Sequence, residues 1–255
     1  MDRLMKRWRH RSLAVAARMM VAALMLICAL AQNLAAQTRL YLPNTGAADV
    51  SPVFTFESTW NETTGADRIE TATTKINSAL TNKASAKAVT ANTDILSRQF
   101  VSNPIVAQTI AAGTVKGTIR VLESAGNDNI DKVRIKIIVV NGAGTTLTGT
   151  ILARGSYGPT NEWATSLTNR RIADGDTTSA VTANEGDRIV IEIGFLNTTT
   201  GTSITGTMNF GDDNASDCAD DETGTAACNP FVELSQTITF QGPAGRPPRR
   251  AVVIE

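Results

Sequence analysis

Residues 211–230, GDDNASDCADDETGTAACNP, concentrate the side chains of this chain that could do chemistry. Six carboxylates lie between Gly211 and Glu222 with no lysine or arginine among them, and Cys218 and Cys228 enclose three of the six. Neighbouring carboxylates repel one another more strongly as the effective dielectric constant falls. A cross-link or a bound cation is therefore expected to hold this loop together.

One use for such a loop is a calcium site. Asp212, Asn214 and Ser216 alternate as the oxygen ligands of the helix-loop-helix calcium site do, but its sixth and twelfth positions hold Asp217 and Thr223 where that motif has glycine and glutamate. The alternative is a solvated acidic hairpin closed by a disulfide. The candidate calcium ligands are Asp212, Asp213, Asn214, Asp217, Asp220, Asp221 and Glu222, with a second, weaker cluster at Asn127, Asn129 and Asp131.

The compartment decides what the cysteines do, and the N-terminus indicates export. Residues 1–36 begin with a basic region, followed by an apolar run at 19–31 that is short for a membrane span of about 20 residues. This pattern predicts a cleaved signal peptide, with the mature chain starting at Gln32 or Gln37. A lipid anchor at Cys28 and a retained membrane anchor are the alternatives. We expect a protein that is secreted, on the cell surface or in the periplasm, without stable membrane insertion after cleavage.

Removal of residues 1–36 changes the charge and excludes several chemistries. It takes away six basic residues and one acidic residue, and leaves 18 basic and 23 acidic residues, a net charge of −5. No general attraction to nucleic acid is expected from this balance. The single histidine, His10, leaves with the leader, so the mature chain holds no Ser-His-Asp triad, no Cys-His pair and no histidine metal ligand.

The same cleavage leaves two cysteines in the mature chain. An even pair in an exported protein predicts a Cys218–Cys228 disulfide. Closing a loop of about eleven residues is worth roughly 3 kcal/mol in the chain-entropy model.

The elements that must position these residues follow period-two alternation, which is typical of strands. In residues 132–140, KVRIKIIVV, the odd-numbered positions are apolar and are predicted to face a core, which leaves the far face of that strand to polar residues. The same alternation of apolar and polar residues recurs at 188–197, 231–240 and 114–122. Further strands are predicted at 39–42, 53–57, 68–75, 94–102, 145–154 and 203–210.

Roughly ten strands with hairpin-length links predict an all-β fold, an antiparallel two-sheet sandwich of jelly-roll topology, preceded by a signal helix. The domain is expected to span residues 37–241, followed by a flexible tail at 242–255. Residues 77–93 are polar and are predicted to form a long surface loop or ragged edge strands.

Four segments resemble a family of uncharacterised β-sandwich proteins associated with phage structural regions and environmental bacterial sequences. They are GTIRVLES at 117–124, TNEWATSLTNR at 160–170, GDRIVIEIGF at 186–195 and NPFVELSQTITF at 229–240. The resemblance covers about residues 38–240 and implies a fold, but no active site.

Two further sets of residues suggest alternative functions. Trp60, Tyr157 and Trp163 would favour glycan binding if they lined one surface, because an aromatic face complements the C–H face of a sugar. Otherwise they belong to the core or pack under loops. Glu192 and Glu233 would have to share a cleft to support glycoside hydrolysis, and outward glutamates on strands are usually solvated.

The sequence therefore predicts an exported, non-catalytic structural or display protein without a cofactor, able to form a homo-oligomer. The alternative is a carbohydrate-binding module, assisted by calcium, that recognises a surface ligand such as a glycan.

Overall fold

A computed structural model describes residues 37–56, 60–88, 92–126, 130, 132–159, 161–198, 203–213 and 216–242. The predicted signal peptide and all but the first residue of the predicted tail lie outside the described residues. Within the described part the chain is all-β, with no helix. Nor does this part hold any helix with the length and apolarity needed to cross a membrane.

The described residues form thirteen strands. They are β1 (Thr38–Tyr41), β2 (Asp67–Thr71), β3 (Thr81–Ala88), β4 (Thr93–Ser102), β5 (Gln108–Ile110), β6 (Gly113–Glu123), β7 (Val133–Val140), β8 (Leu147–Ser156), β9 (Thr168–Thr178), β10 (Val181–Ala183), β11 (Arg188–Asn197), β12 (Ser203–Phe210) and β13 (Phe231–Leu234).

The strands predicted at 114–122 and 203–210 are confirmed, whereas the one predicted at 231–240 ends at Leu234. An edge strand, one of the two alternatives predicted for residues 77–93, is confirmed by β3 at the end of its sheet. β7 and β11 match their predicted segments closely. The strand predicted at 53–57 is wrong over its described residues, 53–56, which form a turn and bend. The segment 77–93 contains the eight-residue strand β3, because β12 supplies a hydrogen-bonding partner along its whole length.

The strands form two large sheets and one small one. The six-stranded sheet has the order β1-β13-β6-β12-β3, and β9 lies on the other edge of β6. The five-stranded sheet has the order β2-β4-β11-β7-β8, and β5 pairs with β10. The pairings among these strands are antiparallel except that of β2 with β4, which is parallel, so the prediction of purely antiparallel sheets is wrong at this edge.

One hydrophobic core draws residues from both large sheets, such as Val121 and Met208 from the first and Ile137 and Phe100 from the second. The predicted core positions are confirmed. They are Val133, Ile135, Ile137, Val139, Ile189, Ile191, Ile193, Val232, Leu234 and Ile238.

The far face of the five-stranded sheet is also buried, which corrects the prediction that its strands bury only one face. Val101, Ile138, Val140 and Val190 form a second apolar cluster there. Residues 47–56 and 60–62, which we call the covering segment, lie over this face and pack Ala48, Val50 and Phe56 against the cluster. Alternation identifies the two faces of a strand, but it does not tell what covers each face.

Candidate functional site

The acidic stretch forms a loop, described at residues 212–213 and 216–229. A disulfide cross-links this loop. Cys218 and Cys228 are bonded to each other with their Cα atoms 4.7 Å apart, as predicted. The Cys218 amide donates to the Asn229 carbonyl at 2.9 Å, and the Asn229 amide donates to the Ser216 carbonyl at 2.9 Å. The two ends of the loop are therefore held together by backbone hydrogen bonds as well as by the disulfide.

At one end of the acidic loop, Asp217 is held by the edge of the six-stranded sheet. Its carboxylate lies 2.6 Å from an Arg39 guanidinium nitrogen and 2.8 Å from Lys75 Nζ, and it accepts a hydrogen bond from the Tyr41 hydroxyl at 3.1 Å. Partial burial opposes ionisation of this carboxyl, but the hydrogen bonds from Lys75 and Arg39 outweigh it and lower the pKa of Asp217.

At the other end, two carboxylates are held by adjacent arginines of β9. Arg171 Nε lies 2.6 Å from Asp220 Oδ1, and the Arg171 amide donates to Glu222 Oε1 at 2.7 Å. Arg170 donates to the Glu222 carbonyl at 2.6 Å. The loop thus crosses the far face of the six-stranded sheet from β1 to β9, and the cations absent from its own sequence come from these distant strands.

Asp221 and Asp212 have local structural roles. Asp221 Oδ1 accepts hydrogen bonds from the Gly224 amide at 2.8 Å and from Asn169 Nδ2 at 2.9 Å, and these bonds lower the pKa of Asp221, the Gly224 amide most of all. Asp212 is fully buried and accepts hydrogen bonds from the amide and hydroxyl of Ser78 at 2.7 and 2.8 Å. The Asp221 and Asp212 carboxylates are therefore each held by their own hydrogen-bond donors.

The described part of the chain contains no assembled metal site. No group of three or more histidine, cysteine, aspartate or glutamate side chains is arranged there to hold an ion. Calcium at the acidic loop stays a prediction, and an ion there would compete with the arginine and lysine contacts of the same carboxylates. Asn214 and the second candidate cluster, Asn127, Asn129 and Asp131, lie outside the described residues.

The three candidate sugar-stacking aromatics do not form one surface. Trp60 belongs to the covering segment and is 5% exposed, whereas Trp163 is 1% exposed in the main core, with its ring centroid 5.4 Å from that of Phe195. Tyr157 is half-buried against this core and donates its hydroxyl hydrogen to the Ala153 carbonyl at 2.8 Å. Neither indole presents an open face to a sugar in this conformation.

Trp60 instead belongs to a buried polar network centred on Glu192. Glu192 on β11 is directly opposite Lys136 on β7 and Gln99 on β4. Trp60 Nε1 donates to Glu192 Oε2 at 2.7 Å, and Gln99 Nε2 donates to Oε1 at 2.9 Å. Lys136 Nζ lies 3.5 Å from Oε2 and also donates to the Phe56 carbonyl of the covering segment.

The charged groups of this network are shielded from solvent. The side chains of Lys136 and Glu192 are both 0% exposed. Burial raises the pKa of Glu192, and Lys136, Trp60 and Gln99 oppose that rise. Sequence reasoning placed Glu192 on a solvated face and did not connect it with Lys136 or Gln99. The available signal was one lysine and one glutamate at central positions of two apolar strands, a combination that favours a cross-strand pair.

Glu192 and Glu233 do not share a cleft. Glu233 on β13 lies between the core residues Val232 and Leu234, so alternation puts its side chain on the far face of the six-stranded sheet. There it is paired with Arg39 at 2.7 Å and with Lys116 at 3.0 Å. The two glutamates are therefore on opposite outer sides of the two-sheet fold, and the proposed hydrolytic pair is not assembled.

A small polar cleft lies beside Glu233 on the same far face. Its volume is about 220 Å³. The residues that line it are Gln37, Thr114, Lys116, Gly175, Glu233 and Ser235. Hydroxyls and one ion pair dominate this lining, so the cleft could hold a small polar group rather than an apolar one.

Comparison with known proteins identifies no family for this chain. No protein-family model matches it, and no curated protein does. It is similar to the structure of an α-amino acid ester hydrolase labelled with selenomethionine, with a TM-score of 0.36 and 11% identity over 78% of this chain and 36% of that one. It is also similar to a CocE/NonD family hydrolase from Staphylococcus aureus, with a TM-score of 0.27 and 10% identity over 81% of this chain and 35% of that one.

The chain thus spans about a third of the length of these structures, and likeness at such TM-scores carries no argument about function. The resemblance to the uncharacterised β-sandwich family stays a prediction.

Proposed function

We propose that this chain is an exported, non-catalytic jelly-roll protein with a structural or display role outside the cytoplasm. The observation that carries this proposal is that the chain itself lays a segment across each outer sheet face. The covering segment and the Glu192 network occupy one face, and the disulfide-closed acidic loop crosses the other. The polar residues best suited to chemistry are used in these internal contacts, which favours a durable scaffold over an open active site.

The jelly-roll topology is supported by the strand order. Four strands of one sheet are ordered β3-β12-β6-β9, and four of the other are ordered β4-β11-β7-β8. Taken in chain order, these eight strands alternate between the two rows at every step except from β7 to β8, which are neighbours in one row. Two four-stranded rows linked in this way match an eight-stranded double-sheet jelly roll.

Export is supported by the disulfide, since such bonds persist in oxidising compartments and are rare in the cytosol of mesophiles. The test is expression of the whole chain in a bacterial host, followed by fractionation and N-terminal sequencing. We expect exported protein that starts at Gln32 or Gln37 and has no thiol reactive under denaturing conditions. Cytoplasmic protein with an intact leader and three reactive thiols, Cys28 included, would overturn the proposal of export.

The structural or display role needs its own test. We expect intact cells or shed material to expose the protein to an added protease or antibody, and size-exclusion chromatography with light scattering to report its self-association. Purified mature protein is expected to show no turnover on panels of ester, glycoside and peptide substrates. Turnover that survives further purification and is lost with a single substitution in the described chain would contradict a non-catalytic role.

The second candidate function is glycan binding, favoured by the polar cleft beside Glu233. The experiment is a glycan array with the mature protein, with and without calcium. We expect binding through this cleft to be lost in Lys116→Gln and kept in the control Lys83→Gln, because Lys83 pairs with Asp67 on another part of the surface. Absence of any glycan signal under both conditions would reject this alternative.

A further inference from the structure

Lys136 and Glu192 form a buried pair at the centre of the Glu192 network. They are direct cross-strand neighbours on β7 and β11, two inner strands of the five-stranded sheet. Neither side chain has any solvent exposure, and Lys136 Nζ lies 3.5 Å from Glu192 Oε2. The amine therefore lies against the carboxyl group whose carbon, Cδ, is the atom that it could attack.

The carboxyl group of Glu192 is held in place by two donors. Gln99 Nε2 donates to Oε1 at 2.9 Å and Trp60 Nε1 donates to Oε2 at 2.7 Å. Gln99 is in turn held by Arg68, whose Nε donates to Gln99 Oε1 at 3.1 Å. Donors fixed in this way stabilise negative charge that develops on a carbonyl oxygen under nucleophilic attack.

Burial also favours the protonated form of Glu192, which is the form that reacts. Two charges in a site without water carry a large desolvation penalty, which their mutual attraction offsets only when the geometry is good. Burial raises the pKa of Glu192. Transfer of one proton from the ammonium to the carboxylate leaves a neutral amine, which is nucleophilic, beside a neutral carboxylic acid, which is electrophilic.

We propose that Lys136 and Glu192 condense after folding to form an intramolecular isopeptide bond between β7 and β11. The amine Nζ attacks Glu192 Cδ, the Nζ–Cδ bond forms and the Cδ–Oε2 bond breaks. Oε2 leaves as water, with one proton from the carboxylic acid and one from Nζ. The sum is one ammonium and one carboxylate giving one amide and one water, so no oxidant, reductant or second substrate takes part.

The fold supplies the driving force that free amino acids lack. Groups held side by side in this way reach effective concentrations of roughly 10⁵–10⁸ M. Condensation also replaces two buried charges by one neutral amide, and the amide oxygen, the former Oε1, keeps its hydrogen bond from Gln99. The product would join two adjacent inner strands covalently, which fits any role that requires a durable module and does not depend on the role proposed above.

The test is the mass of the folded, purified mature protein after reduction and denaturation. We expect an intact mass lower by one water than that calculated from the sequenced N-terminus. Proteolysis and tandem mass spectrometry should then yield a branched species in which the peptide containing Lys136 is joined to the peptide containing Glu192. Because this experiment uses the unsubstituted protein, it does not depend on whether a variant folds.

Two variants locate the bond. Lys136→Met should have the full calculated mass, while the control Lys116→Met should keep the loss of one water. Lys116 lies 3.0 Å from Glu233, closer than the buried pair, but its side chain is 43% exposed and therefore open to solvent, whereas Lys136 is fully buried. Folded unsubstituted protein with the full mass and separate Lys136 and Glu192 peptides would overturn the proposal, as would a branched peptide joining any other pair.

Discussion

The hydrogen bond from Trp60 to Glu192 can be tested by removing only its donor. Trp60→Phe keeps a buried aromatic ring in the covering segment and deletes the indole N–H, whose nitrogen Nε1 lies 2.7 Å from Glu192 Oε2. The matched control is Trp163→Phe. Trp163 is equally buried, but its Nε1 has no hydrogen-bond partner in the described structure.

The expected difference follows from these contacts. Both substitutions remove the same atoms and leave similar space, so the packing terms partly cancel when the two variants are compared. A hydrogen bond between uncharged groups contributes about 0.5–1.5 kcal/mol and one to a charged group about 1.5–3 kcal/mol, whereas an unpaired buried donor costs about 1–3 kcal/mol. Trp60→Phe loses such a bond, whereas Trp163→Phe relieves an unpaired donor. We therefore expect Trp60→Phe to lower the free energy of unfolding by at least about 1.5 kcal/mol more than Trp163→Phe does.

The assay is urea unfolding followed by circular dichroism, because tryptophan fluorescence changes when either indole is removed. Free energies are extrapolated linearly to water, and equal m values in both variants indicate that the same surface is exposed on unfolding. A free-energy loss for Trp60→Phe that is no larger than that for Trp163→Phe would refute the assignment of the Glu192 network as a stabilising contact of the covering segment.

Three further outcomes are expected. Ile191→Ala should lower the free energy of unfolding by about 2–5 kcal/mol, and a loss below about 0.5 kcal/mol would mean that the faces of its strand are assigned backwards. Reduction of Cys218–Cys228 should speed amide hydrogen exchange at 212–229 and lower stability by no more than about 3 kcal/mol, whereas loss of the whole fold would contradict a local role for this bond. The lowered pKa of Asp217 adds stability that is complete above the unfolded-state value of about 4 and is lost as pH falls through the folded-state value. Asp217→Asn should therefore flatten the acid side of the stability curve, and an unchanged curve in urea titrations across that range would count against the ion pairs.

Much of the core could be predicted because strand alternation is local information. The period of two places Val133, Ile135 and Ile137 on one side of β7 whatever else the chain does, and all three lie in the common core. The disulfide was predictable for a similar reason, since an exported chain with two cysteines ten positions apart has few other ways to pair them.

The rest depended on contacts between residues far apart in sequence. β3 has little apolar alternation of its own and becomes a strand because β12 pairs with it. Asp217 is paired with Arg39, which lies 178 residues away in sequence. Because the composition of the loop does not show this cation, the loop resembled a calcium site.

The Glu192 network likewise was predictable only in part from local sequence. Local sequence determined that Lys136 and Glu192 point away from the main core, and it could not determine whether that direction led to water. Only the tertiary structure brought the covering segment over them, and it placed Trp60 on Glu192 rather than on a sugar-binding surface. The physical reason is that the side-chain period of a strand is set by its own backbone, whereas the burial of each face is set by segments that arrive from elsewhere in the chain.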